Sequence, residues 1–204
     1  MREPSAIKAV SADGGVAAVI VAAGRGERAG QADGPKQYRH IGGRAILART
    51  LETFLSHPRI GQIVVVIHSD DLQLLQKAVG DRLAGVTIVT GGRTRQDSVR
   101  LGLVALDHST PEKVLIHDAV RPFADRDLID RVIDVIGVGQ GALPALPVAD
   151  TLKRESRDGT IGETVPRAGL HAAQTPQAFP SVPFWQRTRR RIRRAGTTSP
   201  TMRP

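Results

Sequence analysis

Residues 16–23 read Val-Ala-Ala-Val-Ile-Val-Ala-Ala and stop at Gly24-Arg-Gly26. A run this apolar, of strand length and without alternation, needs cover on both faces, and the glycines at its end release the backbone into a loop. The chain is thereby directed towards a sandwiched sheet with a loop at the carboxyl end of its first strand. Successive N–H groups of such a loop can point into a concavity with no Cβ in the way. Arg25, Arg28 and Lys36 add cationic side chains, so the expected guest is a polyphosphate.

Downstream, Ile46, Leu47, Leu51, Phe54 and Leu55 recur at helical spacing, and His57-Pro58 closes that helix. Ile63-Val-Val-Val-Ile67 is a second continuous strand, covered on both faces. Ser69-Asp-Asp71 offers an N-cap and an acidic first turn for a helix to about Val79, and Val86-Thr-Ile-Val89 is a third strand. A helical pattern over 94–106 follows Gly91-Gly92, and Val114-Leu-Ile116 runs as a fourth strand into His117-Asp118. A helix is expected over 127–136 and a fifth strand over 142–148. Repeated β-α units of this length predict a doubly wound, mostly parallel, Rossmann-like sheet with helices on both faces. Ligands of such sheets sit outside the carboxyl ends of the strands, which gathers 23–28, 69–70, 91–98 and 117–121 at one crevice. Around Asp158-Gly159 the pattern changes to a β-hairpin excursion.

The 204 residues suit one domain, preceded by a polar leader over 1–15 that is expected to be disordered. Absence of cysteine agrees with a reducing cytoplasm, the expected location, and no run approaches a membrane span. The formal charge of +9 raises nucleic acid as a partner, but seven arginines lie within 180–204, where there is no acid, and the body is nearly balanced. With only 3% aromatic residues there is little to stack bases, and nucleic acid is not an expected partner.

Gly24-Arg-Gly-Glu-Arg-Ala29 also matches the G-x-G-x-x-A dinucleotide fingerprint. That fingerprint wants a helix at once and an acid about 20 positions on; here Gly34-Pro35 prolongs the loop, and the second strand ends well beyond that distance. Lys36 is stiffened by the preceding proline for approach to the cradle, as against a plain surface lysine. Asp118 could hold Mg²⁺ between phosphate oxygens or cap a turn, and its place at a strand's carboxyl end favours the metal. His117 is read as a packing or hydrogen-bonding residue. Thr94, Asp97 and Ser98 suit either helix capping or contact with a nucleoside.

Taken in order, Ala22-Ala-Gly-Arg-Gly-Glu-Arg28, Pro35-Lys-Gln-Tyr38, Gly91-Gly-Arg-Thr-Arg-Gln-Asp-Ser-Val99, His117-Asp-Ala-Val-Arg-Pro122, Asp150-Thr-Leu-Lys-Arg154 and Thr175-Pro-Gln177 closely resemble the 2-C-methyl-D-erythritol 4-phosphate cytidylyltransferase family. The resemblance spans 16–179 and implies a nucleotidyltransferase domain. It implies Mg²⁺-dependent transfer of CMP from CTP to the phosphate of methylerythritol phosphate, with release of pyrophosphate and no covalent enzyme intermediate. Arg28 and Lys36 match the family's catalytic cations. Ala22, Ala23, Gly24, Gly26, Gly91, Ser98, Asp118 and Ala119 match nucleotide contacts, with Asp118 as metal ligand. Thr151, Arg167 and Thr175 match positions that hold the sugar phosphate. The family resemblance also implies a homodimer through an arm over 150–172, with Thr151 and Arg167 reaching the neighbouring subunit's site. A related enzyme acting on ribitol 5-phosphate, or a non-catalytic nucleotide-binding remnant, is the alternative.

After Phe179 the family pattern of Thr-Asp-Asp/Glu-Ala, a last strand and Lys-x-Thr does not continue. The composition of 180–204 suits a basic, non-family tail from a truncated or frameshifted reading. Low activity and poor solubility are the corresponding expectations.

Overall fold

The structure, a computed structural model, describes residues 15–25, 34–106 and 111–181. The leader and the arginine-rich tail therefore lie outside the described residues apart from Gly15, Pro180 and Ser181, as do Gly26 and Arg28.

In chain order the strands and helices are β1 (Val16–Ala22), β2 (His40–Ile41), β3 (Arg44–Ala45), α1 (Ile46–Leu55), β4 (Ile60–Ile67), α2 (Leu72–Val79), β5 (Val86–Thr90), α3 (Arg95–Val104), β6 (Lys113–Asp118), α4 (Arg126–Asp134), β7 (Ala145–Pro147), β8 (Leu152–Glu155), β9 (Ile161–Val165), β10 (His171–Ala173) and β11 (Gln177–Pro180). The central sheet has the order β11-β6-β1-β4-β5. β1, β4, β5 and β6 are parallel, and β11 runs antiparallel to β6. The first strand is thus central, as its uninterrupted apolar run requires.

Alternate residues of β1 enter two different cores. Ala18, Ile20 and Ala22 join residues of α1, α2 and α4 on one face, including Leu51, Phe54, Leu75 and Ile133. Ala17 and Val19 pack on the other face with Val64, Val66, Val99, Leu103 and Ile116, where α3 lies. A Cβ on Gly102 would come within 2.6 Å of Val19 and 2.8 Å of Val66, so α3 lies closer to the sheet here than a side chain would permit. Helices on both faces of a mostly parallel sheet agree with the expected class.

Two local expectations are corrected. The segment 142–148 does not supply the fifth strand of the main sheet: Ala142 makes a single bridge to Ala178, and β7 pairs with β10 in a separate ribbon. The fifth strand is β11, whose Pro180 still pairs with Lys113, so the expected boundary at Phe179 falls inside a strand. The expected third strand is present as β5, at the edge of the sheet, with Thr87, Ile88 and Thr90 exposed. The hairpin excursion is present as β8 and β9, turning at Asp158-Gly159, where Gly159 adopts a φ of 81°. Among the described residues no helix is long and apolar enough to cross a membrane.

Candidate active site

The carboxyl ends of the parallel strands open into a cleft of ≈ 460 Å³. Its walls come from the end of β1 and the glycine loop (Ala22, Ala23, Gly24, Arg25), from Lys36 and Gln37, from His68, from the start of α3 (Gly92 to Ser98) and from the end of β6 (Asp118, Ala119, Val120). The structure therefore brings together Ala22, Ala23, Gly24, Lys36, Ser98, Asp118 and Ala119.

The loop is shaped by a residue that sequence reasoning passed over. Gln37 is buried in a short 3₁₀ turn (Lys36–Tyr38), and its side-chain amide donates to the carbonyl oxygens of Ala22 at 2.6 Å and Gly24 at 3.2 Å. It clamps the end of β1 from behind and places its neighbour Lys36, half-buried, on the cleft wall. The signal was in the Pro-Lys-Gln-Tyr motif, but an amide clamp on a backbone has no spacing signature.

Arg25 departs from expectation. Its guanidinium donates to Asp71 Oδ1 at 2.9 Å and Asp70 Oδ2 at 3.0 Å, and also meets His68 Nδ1. The positive charge expected for a phosphate is compensated by acids after β4. Asp71 is correspondingly no cap: it stands at the N-cap of α2 without a side-chain cap bond and is buried under Arg25. Burial and the neighbouring Asp71 carboxylate hold the Tyr38 phenol above its ordinary range.

On the opposite wall, Thr94 caps α3 by accepting the Asp97 amide at 3.0 Å. Ser98 is buried, and its hydroxyl accepts from Gly92 N at 3.1 Å and donates to the Thr94 carbonyl at 3.0 Å. Capping and bracing are therefore the uses these groups have within the chain. Gly91 lies behind this wall: a Cβ there would meet Ala23 Cβ at 2.5 Å and Ser98 Oγ at 2.7 Å.

At the end of β6, Asp118 accepts from Arg95 Nε at 2.9 Å and Nη2 at 2.8 Å on one oxygen, Oδ1. Its Oδ2 has a long contact of 3.4 Å with Arg121. Ala119 donates its amide to Val21 O at 3.0 Å and accepts Thr50 Oγ1 at 2.8 Å, so it is fixed by β1 and α1. His117, as expected, is a hydrogen-bonding residue of the core. Its Nε2 lies 3.0 Å from the Arg121 carbonyl, which can only accept, so the proton is on Nε2 and Nδ1 accepts from the Thr175 hydroxyl at 3.0 Å. Thr175 Oγ1 in turn accepts the Asp118 amide at 3.3 Å. Burial lowers the imidazole pKa to about 4, so the ring is neutral.

Thr175, matched to sugar-phosphate binding, is thus buried, and its hydroxyl is engaged by His117 and Asp118. Thr151 and Arg167 are exposed at the base of the hairpin, and neither lines the cleft; Arg167 donates to the Ala149 carbonyl.

The residues fit a magnesium ion. Among the described residues no three acids or histidines converge, but Mg²⁺ needs only one or two carboxylates when phosphate oxygens and water complete its six positions. Asp118 presents such a carboxylate beside the cleft's cations, with Oδ2 only weakly engaged.

A family model described as IspD: 2-C-methyl-D-erythritol 4-phosphate cytidylyltransferase matches residues 16–199. The chain is 67% identical over 174 residues to the bifunctional enzyme IspD/IspF of Mesorhizobium japonicum, covering 85% of this chain and 43% of that protein. It is 57% identical over 170 residues to the protein of the same name from Brucella anthropi, covering 83% and 42%. The chain thus spans less than half the length of these curated relatives. Among solved structures it resembles 4-diphosphocytidyl-2C-methyl-D-erythritol synthase of Anaerococcus prevotii, with a TM-score of 0.68 and 30% identity over 92% of this chain and 80% of that one. It also resembles the 2-C-methyl-D-erythritol 4-phosphate cytidylyltransferase of Thermus thermophilus, with a TM-score of 0.66 and 31% identity over 90% and 79%.

Proposed function

Because the chain belongs to the 2-C-methyl-D-erythritol 4-phosphate cytidylyltransferase family, we propose that it transfers CMP from CTP to 2-C-methyl-D-erythritol 4-phosphate, releasing pyrophosphate and forming 4-diphosphocytidyl-2-C-methyl-D-erythritol. The observation that carries this reading is the convergence of the clamped glycine loop, Lys36, the α3 start and Asp118 on one cleft.

A phosphate oxygen of the acceptor attacks the α-phosphorus of CTP; the new P–O bond forms as the bond to the β-phosphate oxygen breaks, and the electron pair leaves with pyrophosphate. Negative charge gathers on the α-phosphate oxygens and on the leaving group, and fixed cations lower the barrier by meeting it. Lys36 is the described cation best placed for this, because Gln37 holds the adjoining backbone. Arg28 is proposed to act beside it. The nucleoside would lie against Ala22, Ala23, Gly24 and Ala119, with Gly26 completing the loop. Gly91 and Ser98 keep that wall narrow enough for close approach. A magnesium ion on Asp118 would neutralise phosphate charge and hold the triphosphate in one geometry.

Thr151 and Arg167 support a composite site. Both are exposed, and both lie on an arm whose β8–β9 ribbon presents polar residues to solvent. We therefore assign them to the acceptor phosphate of a second copy in a homodimer, while Thr175 supports its own chain's Asp118. Mixing a Lys36→Ala chain with an Arg167→Ala chain should restore activity in about a quarter of the sites, since one site of each mixed dimer is then intact. No restoration would overturn the composite site.

The deciding assay is CTP-dependent pyrophosphate release with methylerythritol 4-phosphate and with ribitol 5-phosphate. Turnover with the former supports the proposal, turnover with ribitol phosphate alone moves the chain to the alternative acceptor, and CTP binding without turnover leaves a nucleotide-binding protein. A cytoplasmic location is proposed with this activity, since its substrates are charged and soluble.

A further inference from the structure

We propose that Arg95 competes with the divalent cation for Asp118, so that cation binding is coupled to nucleotide binding through the movement of one side chain. The inference rests on the reading of Asp118 as the cation's ligand.

Two donors of Arg95, Nε and Nη2, converge on the single oxygen Oδ1 at 2.9 and 2.8 Å. A carboxylate oxygen with two charge-assisted donors has its lone pairs engaged, and a cation approaching it meets a guanidinium of the same sign. Oδ2, with only the 3.4 Å contact to Arg121, stays open to the cation, so Arg95 and the cation compete for the charge of one carboxylate rather than for one oxygen.

The two partners differ in freedom. Asp118 ends a strand paired with Val21, its amide is held by Thr175, and its side chain is 25% exposed. Arg95 stands in the first turn of α3, with a side chain 49% exposed on a long flexible stem. Arg95 is the partner that moves. Its alternative is nearby: it lies on the cleft wall with Lys36 and Arg93, neither of which is ion-paired among the described residues. A triphosphate entering there attracts the guanidinium away from Asp118 as the cation arrives with it.

The arrangement also explains how an acid can sit in an anion's cleft. A bare carboxylate would repel the triphosphate, whereas one neutralised by Arg95 does not, and the same guanidinium then serves the incoming charge. Cation affinity is consequently low alone and rises with nucleotide, and the coupling is reciprocal.

The test uses Mn²⁺ as probe, titrated by electron paramagnetic resonance into the full chain with and without CTP, with thermal unfolding as a check on folding. Arg95→Gln should bind Mn²⁺ alone about tenfold tighter than the parent, and the gain conferred by CTP should shrink by the same factor. Arg95→Lys, which keeps the charge but cannot fork onto Oδ1, should fall between them. If either variant melts like the parent and binds Mn²⁺ no tighter while Asp118→Asn abolishes binding, the competition is overturned and the metal reading stands. If Asp118→Asn binds Mn²⁺ as the parent does, the metal reading itself fails and the competition with it.

Discussion

Gln37 Nε2 lies 2.6 Å from the carbonyl oxygen of Ala22, so a side chain from outside the sheet fixes the last residue of its central strand. Replacing Gln37 with Ala leaves the carbonyls of Ala22 and Gly24 without that donor, a loss of about 1–3 kcal/mol for buried acceptors. We expect a lower unfolding midpoint in urea and a KM for CTP raised several-fold. Gln37→Glu should do worse, because a carboxylate faces two carbonyl oxygens.

Gly91→Ala places a methyl group 2.5 Å from Ala23 Cβ and 2.7 Å from Ser98 Oγ, so this wall of the cleft must shift. Overpacking of this kind costs about 1–3 kcal/mol. Calorimetric titration with CTP should show weakened binding together with a reduced melting temperature, whereas Gly61→Ala, with open space around its position, should leave CTP binding at the parent's level.

Thr175→Val keeps the shape of the side chain and removes the hydroxyl that joins Asp118 N to His117 Nδ1. Both stability and kcat should fall, with stability down by about 1–3 kcal/mol. Thr175→Ser should recover most of both. If Thr175 instead contacts the acceptor phosphate, the KM for that substrate will rise while stability holds, and steady-state kinetics beside chemical unfolding separates the cases.

His117 predicts a pH dependence. Its pKa is lowered from 6.5 to about 4 by burial. Between those values the unfolded chain takes up a proton that the folded chain refuses, so this contribution is complete above pH 6.5 and is lost as pH falls towards 4. The total is about 3 kcal/mol. Urea unfolding at pH 7 and pH 5 should show the decline, and His117→Asn, which has no imidazole to protonate, should flatten that part of the profile.

The parts of the fold that were legible are those in which one residue's chemistry decides its place. The apolar runs of β1, β4 and β6 require a covered sheet, and the capping Thr94 marks the start of α3. What escaped depends on partners distant in sequence. Val86-Thr-Ile-Val89 reads as a strand, but its place at the edge does not follow from those residues, because pairing order is not written in any one strand. The apolar letters of 142–148 suit a sheet strand, but the place beside β6 is filled by β11. In the cleft, Lys36 and Asp118 could be anticipated from loop and strand-end positions. Arg25 could not, since its charge is answered 45 and 46 residues away by Asp70 and Asp71.

The pairing of β11 with β6 sets Gln177 opposite Ile116, and this alignment brings Thr175 to His117 and to the Asp118 amide. A slip of one residue in an antiparallel pair sends every side chain to the opposite face. Inserting or deleting a single residue between Thr175 and Gln177 would therefore uncouple Asp118 from its support without changing any residue that lines the cleft. This short segment should accept changes of side chain far more readily than changes of length, which makes its spacing, more than its composition, the property a working relative has to keep.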